Sequence, residues 1–395
     1  MGFVDFHAKR NLTVWAGLFL LIGILLRFIW LQDMEWKADE KLMHALAKSA
    51  YEKGAIPDLG MPSGVGLPNA GFSIVPFAIL YAFSTDPVLM TLGVALVNCI
   101  ALLLFLVIAL RLPQRKEEFA CGIGLLSVNL LMVLYSRKLW AQDLLPIFMA
   151  GIWYLHTQRR FLLSLVGIGF LGVLAGQLHI SGFFYLAGLF FTMWAAKQLN
   201  VRSVLAIGLG VLIGMLPAIP WMREVLSGAH TSNTGLHNIV KFEYFLHLLT
   251  DPSGINVQYS LGKHVMEFVQ YCVYVPALLA MGIAASTVLG LIQLFKRGIS
   301  KLRLDLGDPL HLYVMAFVAV PGVLLTLSGS PVRSHYLIAA APFAHAALAA
   351  LWLKAGAKWY VIGLVCQLLM TIAFLCYVHQ FGAPEGDYGI PYRLQ

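Results

Sequence analysis

VLMTLGVALVNCIALLLFLVIAL, residues 88–110, runs for 23 positions without an Asp, Glu, Lys or Arg. A helix rises about 1.5 Å per residue and a hydrocarbon core is about 30 Å thick, so this stretch predicts a membrane-crossing helix. The surrounding sequence has the same character: of 395 residues 59% are hydrophobic and 12% charged, with a mean hydropathy of +0.79. A soluble chain with one polar surface does not carry that composition. Apolar stretches of spanning length recur at 12–31, 119–135, 141–156, 161–176, 180–196, 203–221, 265–295, 310–328, 335–353 and 358–378. With 88–110 they make eleven predicted spans in an all-α polytopic membrane protein. Phe72–Phe83 is only about a dozen residues long, which suits a helix lying in the interface.

The formal charge of +8 does not form a basic face for nucleic acid, because the basic residues sit in short clusters between apolar runs. They read as topology signals. Lys9, Arg10, Arg111, Arg115, Lys116, Arg159, Arg160, Lys197, Arg202, Lys296, Arg297, Lys301, Arg303, Lys354 and Lys358 all fall in loops on one side. The opposite short loops hold only Arg137, Lys138 and Arg333. The positive-inside rule then puts the N-terminus in the cytoplasm and the tail 379–395 outside, together with the long loops 32–72 and 222–264. No small-residue cleavage site follows the first apolar run, which is expected to stay as a retained helix. The reading is one membrane domain over 1–395 with no separate soluble domain. Cys99, Cys121, Cys272, Cys366 and Cys376 all lie in apolar runs and show no metal-type spacing, as packing residues do.

Polar residues that carry chemistry concentrate in the predicted outer loops. The first, LQDMEWKADEKLMHALAKSAYEKG (31–54), holds Asp33, Glu35, Asp39 and Glu40, and from Asp39 its apolar residues recur at helical spacing. Beside a cap, such carboxylates offer a base at the headgroup level. The second, SRKLWAQDLLPIF (136–148), carries Arg137, Lys138, Gln142 and Asp143. Its cations suit a phosphate, and an acid opening a spanning helix is either a cap or a functional group. GQLHIS (176–181) places Gln177 and His179 between two apolar helices, and SGSPVRSHY (328–336) supplies Arg333, His335 and Tyr336. Arg333 breaks the charge bias and so points to an anion. His230, His237, His247 and His264 match no metal-site spacing. Acids and cations on one face fit a polyprenyl-phosphate-linked sugar, whose transfer needs a base for the acceptor hydroxyl and cations for the departing phosphate. No P-loop, GxSxG, HExxH or Rossmann glycine pattern is present.

The order KADEKLMHALAKSAYEKG (37–54), GFSIVPFAILYAF (71–83) and YSRKLWAQDLLPIF (135–148) resembles the GT-C superfamily of membrane glycosyltransferases. It is most similar to the branch of protein O-mannosyltransferases and the aminoarabinose transferase of lipid A, over roughly residues 10–200. The resemblance implies that Asp39 is the catalytic base and Asp143 the second-motif acid, which orients the acceptor, a metal or the base. It implies His179 near the donor phosphate, and inversion at the anomeric carbon. The chain departs from the aminoarabinose-transferase pattern at GLPNAGF (66–72), where that branch has an acidic-lysine-proline run. Phosphate binding then falls to Arg137, Lys138, His179 or Arg333, with Glu40, Gln142 and His335 as further substrate contacts. If a metal takes part, Asp39 and Asp143 are the candidate ligands for Mg²⁺ or Mn²⁺.

The expected activity is transfer of a sugar, hexose or pentose, from a polyprenyl-phosphate donor to a hydroxyl of a lipid-linked or cell-surface glycan, on the periplasmic side of a bacterial inner membrane. Two rivals stand beside it. An O-antigen polymerase or ligase relies on arginines in large outer loops, and a lipid-linked glycan flippase places charges along a path within its helices.

Overall fold

A computed structural model describes residues 3–228, 234–296, 304–382 and 388–395, with the backbone alone for 3–11. His230, Arg297, Lys301 and Arg303, and the side chains of Lys9 and Arg10, lie outside the described residues. The chain is all-α. Five helical segments, Pro87–Leu110, Val201–Leu226, Val275–Lys296, Pro309–Leu327 and Ala357–Phe381, are long and apolar enough to cross a membrane. Between them run α1 (Phe3–Leu26), α5 (Lys116–Val128) with α6 (Leu130–Tyr135), α7 (Leu145–Thr157), α8 (Leu162–Leu178), α9 (Ser181–Ala195) and α19 (Ala341–Ala355). Among the described residues these make eleven helical passes of a multi-pass membrane bundle. α2 (Ala38–Lys53) and α3 (Val75–Phe83) pack on each other at one end without crossing, as the short apolar run 72–83 predicts.

Small residues set the close approaches. Lipid gives helices no hydrophobic reason to associate, so tight van der Waals contact must do so. A Cβ at Gly210 would overlap the Val166 carbonyl and one at Gly169 the Ile207 carbonyl, which fixes α8 against α10 (Val201–Met215). Gly122 admits Ala346 of α19, and Gly23 admits Ser127.

The structure departs from the predicted spans in one informative way: several are interrupted near the same end. The span 119–135 breaks at Asn129, 141–156 becomes α-helical only at Leu145, and 335–353 only at Ala341. The span 265–295 divides into α15 (Val265–Tyr271) and α16 (Val275–Lys296) around Val273 and Tyr274, both at positive φ. Each break frees backbone groups that hydrocarbon cannot satisfy, so protein must. At Asn129 the Arg27 Nη1 donates to Ser127 O at 2.6 Å and Thr371 Oγ1 to Val128 O at 2.7 Å. Asn129 Oδ1 accepts from Met132 N at 3.2 Å and caps α6.

In the loop 222–264, to which the sequence assigns no role, the described residues 234–264 form short helices and send Asp251–Gly254 into the bundle, all four residues buried. Asn129 Nδ2 donates to Asp251 O at 2.9 Å and Gln367 Nε2 to Pro252 O at 2.8 Å. The loop thus plugs the gap the helix break leaves. Replacing Asn129 by Ala removes both the cap and the plug's donor, and is expected to cost roughly 2–4 kcal/mol in detergent unfolding. Asn200→Ala removes a cap on Ser203 N at 2.9 Å on an exposed residue and should cost about 1 kcal/mol. Equal losses would contradict the structural role given to the plug.

Candidate active site

One cavity of about 140 Å³ opens at the end of the bundle where α2 and α3 lie. Asp39, Ser63, Trp140, Gln142, His179, Arg333, His335 and Tyr336 line it. These residues come from five separate stretches of chain, and each is delivered by an interrupted helix or a turn. Asp39 stands in the first turn of α2, where the helix dipole favours a carboxylate. Trp140 caps the one-turn 3₁₀ segment Ala141–Leu144 before α7 and Gln142 lies within it, and His179 closes α8. Arg333 and His335 belong to the turn before α19.

The far wall is aromatic. His179 meets Tyr336 edge-on at 4.7 Å and His335 at 5.4 Å between ring centroids, and His335 lies edge-on to Trp140 at 5.3 Å. Tyr185 Oη holds this wall through Tyr336 O at 2.6 Å. His179 Nδ1 lies 2.7 Å from Ser181 Oγ, and burial pushes its pKa down to about 4. It is therefore neutral near pH 7 and serves as a hydrogen-bonding group, which leaves Arg333 as the fixed cation of the lining.

Four sequence candidates, Arg137, Lys138, Glu40 and Asp143, stand elsewhere. Arg137 is buried and donates to Trp30 O at 2.6 Å and Leu26 O at 3.5 Å, so it satisfies the open carbonyl end of α1 rather than the cavity. Lys138, 1% exposed, lies 2.8 Å from Glu35 Oε2 and 4.0 Å from Glu40 Oε1, with Trp140's ring centroid 3.3 Å away. Glu40 is fully buried; its Oε2 accepts from Lys37 N at 3.1 Å and completes a capping box on α2. Asp143 also lies behind the cavity. Its backbone O accepts from Asn98 Nδ2 at 2.9 Å, and it borders a small void with Arg27, Asn98 and Tyr135.

The expected catalytic pair therefore divides: Asp39 faces the cavity and Asp143 the buried cluster beneath it. Among the described residues no group of three or more His, Cys, Asp or Glu is arranged to hold a metal.

The sequence offers Glu35 only as one of four first-loop carboxylates and gives no role to Trp140 or the tail. Glu35 lies 103 residues from its ammonium partner, and no local spacing reveals the pair. The tail fastens the same loop. Arg393 Nε donates to Asp33 Oδ1 at 2.7 Å, His379 Nδ1 lies 2.7 Å from Asp33 Oδ2, and Tyr392 N donates to Met34 O at 3.0 Å. Residues 32–40 are thus held from both sides.

Burial raises the Glu35 carboxyl from 4.5 to about 7; Lys138 and Lys37 oppose the shift and Glu40 adds to it. The folded chain therefore holds a proton that the unfolded chain has lost above about pH 4.5. Stability contributed by that proton is complete below the lower value and is lost as pH rises through about 7. The thermal midpoint in detergent is expected to fall over this window, and Glu35→Gln is expected to flatten the fall. An unaltered slope in the variant would contradict the assignment.

No family profile and no curated protein sequence matches the chain. Two solved structures resemble it along most of its length. One is ArnT from Cupriavidus metallidurans in the apo state, at 13% identity over 88% of this chain and 78% of that one, with a TM-score of 0.44. The other is ArnT from the same organism bound to undecaprenyl phosphate, at 14% identity over 97% of this chain and 85% of that one, with a TM-score of 0.45.

Proposed function

We propose that the chain is a GT-C-type membrane glycosyltransferase that takes a sugar from a polyprenyl-phosphate donor and joins it to a hydroxyl of a lipid-linked or cell-surface glycan. The observation that carries this reading is the cavity itself: a carboxylate, Asp39, shares it with a fixed cation, Arg333, across an aromatic wall. Those are the groups that displacement at an anomeric carbon requires. Asp39 takes the proton of the acceptor hydroxyl as its oxygen attacks C1. The bond from C1 to the phosphate oxygen breaks, and its electron pair leaves on the polyprenyl phosphate, whose charge Arg333 steadies. Attack from the face opposite the leaving group inverts C1. Gln142 and His179 supply neutral hydrogen bonds to the sugar or phosphate.

Orientation follows from charge. Arg115, paired with Glu118 and Asp308, and the Arg159 and Lys197 turns gathered around the contact of His156 with Gln198 lie at the end opposite the cavity. By the positive-inside rule that end faces the cytoplasm of a bacterial inner membrane and the cavity opens to the periplasm.

Transfer of radiolabelled sugar from polyprenyl-phosphate donors in membranes tests the reading. Asp39→Asn is expected to lose about 10²-fold or more in rate, and Arg333→Ala a comparable factor, at matched expression. Full activity in Asp39→Asn, or movement of an intact lipid-linked glycan across the bilayer without a new glycosidic bond, would overturn it in favour of a flippase.

A further inference from the structure

Below the cavity floor, the first loop and the 136–144 segment bring Glu35 and Glu40 against the buried ammonium of Lys138, and the buried Asp143 carboxylate lies within electrostatic reach of the same group. Lys138 Nζ lies 2.8 Å from Glu35 Oε2, which Lys37 also approaches at 3.6 Å, and 4.0 Å from Glu40 Oε1. Trp140, whose ring centroid is 3.3 Å from Nζ, lines the cavity, whereas Lys138 does not. Both Asp143 carboxylate oxygens and Glu40 Oε1 are buried without a hydrogen-bond donor. A divalent cation takes oxygen ligands at about 2.0–2.6 Å, so an ion bound by Glu35 and its neighbours would have to occupy the space of the ammonium. Two cations cannot share it, and the indole closes the approach from the cavity.

We propose that Lys138 is a built-in counter-ion for this acidic cluster, standing where a divalent metal would stand, so that the site works without one. The charge is covalently attached and cannot dissociate, and a buried ammonium holds its place only with carboxylates around it. Lys138 is thus a positioning residue: it holds Glu35 and Glu40 beneath the base-bearing turn of α2 and carries Trp140 against the cavity. The functional arm of this proposal rests on the glycosyl-transfer reading; the binding arm does not.

The test is a titration of the purified full chain with Mn²⁺ alone, followed by the loss of the free-ion electron paramagnetic resonance signal. Wild type and Lys138→Arg are expected to take up no Mn²⁺ that Asp143→Asn abolishes. Lys138→Ala is expected to gain about one such ion per chain, lost again on adding Asp143→Asn. Uptake by wild type that Asp143→Asn removes, or no uptake by a folded Lys138→Ala, would overturn the proposal. Should Lys138→Ala fail to fold, the wild-type titration decides alone. Sugar transfer by wild type is expected to persist in excess chelator; loss on chelation with recovery on Mn²⁺ would also overturn it. If no transfer is seen under any condition, the glycosyl-transfer reading fails and the Mn²⁺ titration still reads the counter-ion.

Discussion

An ammonium that is 1% exposed, set 2.8 Å from a buried carboxyl whose proton leaves only as pH rises through about 7, is the contact on which the functional end of this protein depends. Moving either charge out of water costs several kcal/mol, and only close pairing offsets it. Removing one partner alone typically costs about 3–5 kcal/mol. Lys138 and Glu35 therefore hold two segments in register that nothing local connects. One leads into α2 and delivers Asp39; the other leads into α7 and delivers Trp140 and Gln142 to the same cavity.

That arrangement needs non-helical backbone inside a membrane bundle, which is tolerated only where protein rather than lipid surrounds it. The bundle meets this by spending side chains on its own carbonyls. Arg27 answers the break at Ser127, Arg137 the end of α1 at Trp30, and Thr371 the freed Val128 carbonyl. The long loop adds the Asp251–Gly254 plug, and it also grips the segment that bears Arg333: Glu243 Oε2 accepts from Val332 N at 3.0 Å, and His247 Nδ1 lies 3.1 Å from Ser334 Oγ. Rigid support reaches the cavity from three directions, as the proposed transfer, with its base and cation held in place, requires.

The membrane architecture was legible because lipid leaves composition so little freedom. Eleven apolar runs became eleven helical passes, and the short run 72–83 stayed at one end of the bundle. The breaks at Asn129 and Val273 were not legible, since apolar residues continue through them and only distant partners such as Gln367 make them affordable. Candidate residues divided for the same reason. Asp39, Gln142, His179, Arg333 and His335 meet in one cavity. Arg137, Lys138 and Asp143 look identical to them in sequence, but their partners lie outside the cavity, 111, 103 and 45 residues away along the chain, where sequence spacing carries no information, and Glu40 turns back to cap its own helix. The same limit hid the clamp of Arg393 on Asp33.

In the proposed reaction the cavity between Asp39 and Arg333 receives the phosphate head of a polyprenyl donor. Photo-crosslinking with a polyprenyl phosphate that carries a diazirine on its first isoprene unit, followed by peptide mapping, tests it most directly. The account predicts label on residues 61–64, 140–142 and 331–336, competed by unlabelled polyprenyl phosphate. Specific label confined to the opposite end, around Arg115 and Lys354, would contradict it.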